Sequence, residues 1–167
     1  MTEHGAAPDI VFSGINLGSN LGQDIYYSGT AAAAAEAVLV GIPAIAVSVA
    51  SHTASHFDTA ATIAKELIPF AINEMEKGCM LNLNAPDLPK EEVKGIKITK
   101  IGGTSFFDQF KETEDGGYMR AGSDVSSKNK DPETDLFAIT HRYVSITPIR
   151  LDLTAHDIMK KLETVEL

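Results

Sequence analysis

Two spacings of apolar residues alternate along the first half of this chain. Ile10, Val11 and Phe12 form a short apolar run after Pro8 and Asp9, which reads as a buried strand entering a glycine-rich loop at Ser13. Five consecutive alanines, Ala31–Ala35, follow that loop and predict a thin helix over roughly Thr30–Val40, with Ser28 or Thr30 as its N-cap. Gly41 occupies a C-cap position and Pro43 stops any continuation. Pro43–Val49 is then almost continuously apolar, the pattern of a strand buried on both faces of a parallel sheet. Residues 54–77 return to helical spacing, with Pro69 expected to kink or split the segment and Gly78 to end it. Met80–Asn84 reads as a strand, and Ala85–Lys90, with two prolines, as a loop.

Beyond that point the pattern loosens. Ile96–Ile101 alternates like a half-exposed strand. From Gly102 to Asp135 charges and glycines outnumber apolar residues, which predicts an arm or lid with Tyr118–Ala121 as one strand of a hairpin. Arg142–Ile149 is β-rich, and Thr154 is placed to cap a final helix bearing Ile158, Met159 and Leu162. Strand and helix alternating through the first half imply right-handed βαβ units. The expected fold is therefore α/β, a partial doubly wound, Rossmann-like parallel sheet with a β-hairpin arm and a C-terminal strand and helix. The corresponding division is a core over residues 1–101, an arm over 102–135 and a C-terminal extension over 136–167. A doubly wound sheet usually has a leading strand and helix before its ligand loop, yet this chain reaches the loop by residue 14.

Composition narrows the function. The 167 residues carry 14 Lys and Arg against 23 Asp and Glu, a formal charge of −9, which repels a nucleic-acid polymer and an anionic membrane. No apolar run approaches the roughly 20 residues of a membrane span. Met1–Gly5 has no basic start, and Cys79 is the single cysteine, so a reducing cytoplasm is the expected compartment.

The loop holds the chemistry. Between Ser13 and Thr30 lie four glycines, two asparagines, one aspartate and a hydroxyl at each end of Gly29. Asn16 and Asn20 offer neutral carbonyl oxygens suited to hard cations, and Asp24 offers a carboxylate. Ser28, Gly29 and Thr30 stand at a helix start, where N–H groups and the helix dipole favour phosphate. The same residue types also make ordinary turns and caps, so residue types alone leave a structural loop equally open. Neither a Walker A loop nor a Gly-x-Gly-x-x-Gly fingerprint is present.

Ser13-Gly14-Ile15-Asn16-x-Gly18-x-Asn20-x-Gly22-x-Asp24-x-x-Tyr27-Ser28-Gly29-Thr30 closely resembles the signature of the SurE survival-protein family of metal-dependent 5′/3′-nucleotidases. Gly41–Ser48, Leu81-Asn82-Leu83-Asn84-Ala85-Pro86, and Tyr143–Pro148 with Leu153-Thr154 resemble further segments of that family, in order along the chain. The resemblance implies a phosphomonoesterase acting on nucleoside monophosphates with Mg²⁺ or Mn²⁺. It makes Asn16 a metal ligand, with Asp24 as the other catalytic candidate. It makes Asn20, Ser28, Gly29 and Thr30 the phosphate site, and implies homodimers or homotetramers built through the arm and tail. Family members also carry an Asn-Asp-Asp-Gly strand end whose aspartates hold the metal, and that motif is missing here. The chain is therefore expected to correspond to the C-terminal portion of such a protein and to be weak or inactive alone. A non-catalytic oligomerising or anion-binding remnant is the alternative.

Other candidates are weaker. His52 and His56 lie four apart, a spacing that on a helix could chelate a metal, but they fall in an expected loop with no carboxylate partner evident in the sequence, and bordering the substrate is the alternative. Phe106, Phe107, Asp108, Phe110, Lys111 and Glu112 read as an arm that packs on a neighbour. His141 and His156 read as surface or packing residues, and Cys79 as a small buried hydrophobe.

Overall fold

The strand expected to end at Phe12 continues to Leu17. In the computed structural model, which describes residues 8–103, 106–124 and 130–165, β1 spans Val11–Leu17 and β2 spans Ala44–Val49. The two pair in parallel from Val11 opposite Ala44 to Leu17 opposite Val49, with a register shift between Ser13 and Asn16. Gly14 sits in that irregularity at φ +123°, where a Cβ would come 2.3 Å from the Val47 carbonyl oxygen. A glycine therefore lets the strand bulge and resume pairing, rather than ending it. Asn16 consequently belongs to the strand and not to the loop.

Helix α1, Gly29–Leu39, is capped by Ser28, whose Oγ accepts the Ala31 N–H at 3.0 Å. It closes with Gly41 N–H to the Val38 carbonyl at 3.0 Å and Ile42 N–H to the Ala37 carbonyl at 2.9 Å. This paired 5→2 and 6→1 closure is why the glycine stands where it does. Pro69 splits the second helical segment into α2, Phe57–Glu66, and α3, Ile68–Asn73, at whose start it lies. β3, Cys79–Ala85, then pairs in parallel with β2.

The sheet runs in the order β1-β2-β3-β7-β4, where β4 is Ile96–Ile98 and β7 is Val144–Arg150. β7 pairs antiparallel with β3, and β4 pairs in parallel with β7. The sheet is thus mixed, three parallel strands continued by two that run the other way. Helix α4, Asp135–Thr140, delivers the chain to β7 through Arg142 at φ +68°, so the strand enters from the far end. β4 is a short edge whose Ile96 and Ile98 face outward.

Two apolar layers enclose the sheet. On one face Ile45, Val47, Leu81, Leu83, Val144 and Ile146 pack against Ala60, Ile63 and Ala64 of α2. On the other, Ala44, Ala46 and Met80 pack against Ala31, Ala34, Ala37 and Val38 of α1. β5, Phe106–Glu112, and β6, Tyr118–Asp124, form a separate two-stranded antiparallel sheet that includes the expected hairpin strand. Helix α5, His156–Leu162, starts after Ala155 without a side-chain cap. Thr154 does not cap it: its own N–H donates to Asp152 Oδ1, and its carbonyl accepts the His156 N–H. Among the described residues no helix is long and apolar enough to cross a membrane.

Candidate functional site

Connectivity sets the site. Each of β1, β2 and β3 ends at the same edge of the sheet, and α1 starts from the loop that leaves β1. The N-terminal turn of α1 and the ends of three parallel strands therefore meet, which is where open α/β sheets take their ligands.

Asn16 lies near the end of β1, half-buried. Its Nδ2 donates to the Gly18 carbonyl at 2.8 Å, which turns Oδ1 to the other side of the carboxamide as an acceptor. Gly18 is buried at φ +114°, and a Cβ there would meet the His52 ring at 3.1 Å and Asn16 Nδ2 at 3.8 Å. His52, from the loop after β2, thus stands beside Asn16 across the glycine. The first turn of α1 offers the amides of Gly29 and Thr30 ahead of the helix's own hydrogen bonds. Gly29 is exposed, with Ser28 and Thr30 half-buried beside it. Asp24 is half-buried in the 3-10 segment Gly22–Tyr27 that joins the loop to Ser28.

Asn20 plays a different part from its neighbours. It is buried, and its Nδ2 donates to Ser48 Oγ at 2.7 Å. Its N–H donates to Asn84 Oδ1 at 2.8 Å, while its carbonyl accepts Asn82 Nδ2 at 2.9 Å and Asn84 Nδ2 at 3.2 Å. Ser48, Asn82 and Asn84 follow Ala46 and Met80 along their strands on the face of the sheet that carries α1. They replace water for a loop that would otherwise bury unpaired backbone groups. Asn82 Oδ1 is buried without a partner among the described residues. Asp135, at the start of α4, accepts the Gly22 N–H on Oδ2 at 2.8 Å, and the Gly102 and Leu136 N–H groups on Oδ1, each at 2.8 Å. Burial pushes its carboxyl pKa above the ordinary value, and the N–H donors oppose that push without cancelling it.

His56 and Asp87 form a pair that sequence reasoning missed. His56 Nδ1 lies 2.9 Å from Asp87 Oδ1, and that oxygen also accepts the Ser55 and His56 N–H groups at 3.0 Å. The Ser55 N–H above all, with the His56 side chain and N–H, lowers the Asp87 pKa to about 2. His56 is the N-cap residue of α2 and His52 lies in the preceding loop, so the two do not share a helix face. His141 stacks on Phe137 with ring centroids 3.7 Å apart, and His156 pairs with Asp152 at 2.7 Å. Cys79 is half-buried rather than buried. Phe110 of the arm is exposed, as are Lys111 and Glu112. The side chains of Phe106, Phe107 and Asp108 lie outside the described residues.

The donor set tests the expected metal. Asn16 supplies one neutral oxygen, and among the described residues no three His, Cys, Asp or Glu side chains come together as ligands. A hard divalent cation takes about six oxygen ligands, with carboxylates among them. The described residues therefore do not by themselves fit Mg²⁺ or Mn²⁺. What they offer is a helix start with amides and hydroxyls, groups whose chemistry suits an anion.

Sequence signals existed for part of what was missed. Leu81-Asn82-Leu83-Asn84 and Ser48 interrupt apolar strands at alternate positions, which marks buried polar side chains with partners elsewhere. Asp135 carried no such mark, since it closes a stretch rich in exposed charges.

Comparison with known proteins agrees over most of the chain. The family model described as "Survival protein SurE" matches residues 1–108. The protein named 5′-nucleotidase SurE of Symbiobacterium thermophilum is 43% identical over 159 residues, covering 93% of this chain and 62% of that protein. The protein named 5′/3′-nucleotidase SurE of Escherichia fergusonii is 44% identical over 154 residues, covering 90% of this chain and 60% of that protein. The crystal structure of the SurE protein from Aquifex aeolicus superposes with a TM-score of 0.83 at 37% identity, covering 93% of this chain and 64% of that one. The chain thus spans about 62% of the length of a curated relative that it matches.

Proposed function

The chain belongs to the SurE survival-protein family, and on that premise we propose that it carries the phosphate-binding side of a nucleotidase acting on nucleoside 5′- or 3′-monophosphates. The observation that carries this reading is the Ser28-capped start of α1, set at the carboxyl edge of three parallel strands beside Asn16. The Gly29 and Thr30 amides and the two flanking hydroxyls donate to phosphate oxygens, and the helix dipole favours the anion. Asn16 and Asp24 border the reacting phosphorus, and Asn20 holds the loop from beneath.

A divalent ion, Mg²⁺ or Mn²⁺, belongs to the same proposal, with Asn16 as one neutral ligand and the carboxylates supplied from outside the described residues. Two observations support an incomplete site. The described residues gather no metal-ligand cluster. Among the described residues β1 is also the edge strand of the sheet, and its Phe12 and Leu17 are 42% and 51% exposed. The curated relatives are longer than this chain, which leaves room in them for a covering segment. A cytoplasmic location and assembly into homodimers or homotetramers complete the reading. The exposed Phe110, Tyr118 and Met119 of the hairpin support the assembly.

Release of phosphate from AMP in the presence of Mn²⁺ tests this. The chain alone is expected to turn over weakly or not at all, and robust turnover contradicts the incomplete site. The missing ligand cluster also favours a second reading, a non-catalytic anion-binding or oligomerising chain. In that case AMP binds, but added carboxylate-bearing segments of a relative restore no turnover.

A further inference from the structure

We propose that Asp135 is a positioning residue for the phosphate loop, its buried carboxylate fixing that loop to the root of the hairpin arm. The inference rests on the phosphate-site reading above. Asp135 is 1% exposed and takes one hydrogen bond from each of three segments: the loop at Gly22, the arm root at Gly102 and its own helix at Leu136. The loop and the arm root also bond directly, Gln23 N–H to the Gly103 carbonyl at 3.2 Å.

The contact is close enough to require glycine at position 22 and leaves little room for a side chain at Gly102. A Cβ on Gly22 would lie 1.9 Å from the Gly103 carbonyl oxygen, and Gly22 holds φ +53°. A Cβ on Gly102 would lie 2.8 Å from Leu136 Cδ1 and 2.9 Å from Asp135 Oδ1. From Gly22 the 3-10 segment runs directly to Ser28, so the place where Gly22 is anchored sets where the first turn of α1 presents its amides. A carboxylate suits the junction because both of its oxygens accept and neither donates.

Asp135→Asn separates the two halves of the clamp. The shape is kept, but only one oxygen remains. The orientation that loses least keeps that oxygen on Gly102 and Leu136 and turns the NH₂ toward the Gly22 N–H, two donors facing each other. Amide hydrogen exchange by NMR and titration with inorganic phosphate read the outcome. We expect Gly22 exchange to accelerate about tenfold or more with Gly102 and Leu136 little changed, and phosphate affinity to fall about tenfold, the size of one lost charge-assisted hydrogen bond.

Thr134→Ala is the control, because it removes the α4 N-cap bond to Phe137 N–H and leaves the carboxylate in place. It is expected to lower stability with phosphate affinity within about twofold of wild type, as expected for loss of a cap alone. Unchanged phosphate affinity in Asp135→Asn, or equal weakening in both variants, overturns the proposal. If Asp135→Asn does not fold, wild-type exchange decides: similar protection at Gly22, Gly102 and Leu136 supports the clamp, and an unprotected Gly22 beside two protected amides refutes it. If wild-type chain leaves the Gly29–Ala31 amides unmoved by phosphate, the phosphate reading fails, while the exchange comparison still decides the clamp.

Discussion

Asn20 shows how a single buried residue can tie a loop to two strands. Three of its polar groups are spent on Ser48, Asn82 and Asn84, side chains 28 to 64 residues away along the chain. The sequence places Asn20 in the right loop, but nothing local assigns its partners, because they arrive only when β2 and β3 pair. His56 and Asp87 repeat the lesson across 31 residues. Asp87 also makes a pH prediction. Its pKa is lowered from 3.8 to about 2 in the folded chain. A depressed carboxyl pKa gives stability that is complete above the unfolded value and is lost as pH falls through the folded one. Wild type should therefore lose stability relative to Asp87→Asn as pH drops from about 4 to about 2. Urea unfolding at a series of pH values measures this, and parallel curves for the two proteins would contradict it.

At the scale of elements, local rules were most readable where the partner is near in sequence. Ser28 caps α1, Gly41 closes it and Pro69 breaks α2 from α3, all from contacts within about one turn. The reversal of β7 against β3 was not readable, because strand direction depends on the path through the arm and α4, and an apolar strand looks the same in both directions. Thr154 failed as a cap because its side chain, like its N–H, turns back to Asp152 two residues earlier. The alanines make α1 thin, and Ala34 is fully buried against the sheet. Ala34→Leu should overpack that layer and cost about 1–3 kcal/mol, whereas Ala33→Leu on the exposed side should stay within about 0.5 kcal/mol. Chemical denaturation of the two variants compares them. Equal stabilities would mean that α1 does not pack as tightly as described.

Over the whole molecule, the charge of −9 and the exposed hairpin residues set expectations that no single element does. Phe110, Tyr118 and Met119 are 70%, 72% and 56% exposed on one small hairpin, more apolar surface than a lone arm needs. Light scattering on a sizing column should show a dimer or tetramer, and Phe110→Glu should shift it toward monomer. A clean monomer at micromolar concentration counts against assembly through the arm.

The proposed nucleotidase function stands or falls on whether the Ser28-capped start of α1 takes phosphate. Titration of the chain with AMP, followed through its backbone amide NMR signals, asks this directly. Saturable shifts centred on Gly29, Thr30 and Ala31, lost in Ser28→Ala, are the predicted result. AMP that leaves those amides unmoved, or that shifts residues elsewhere, would contradict the account.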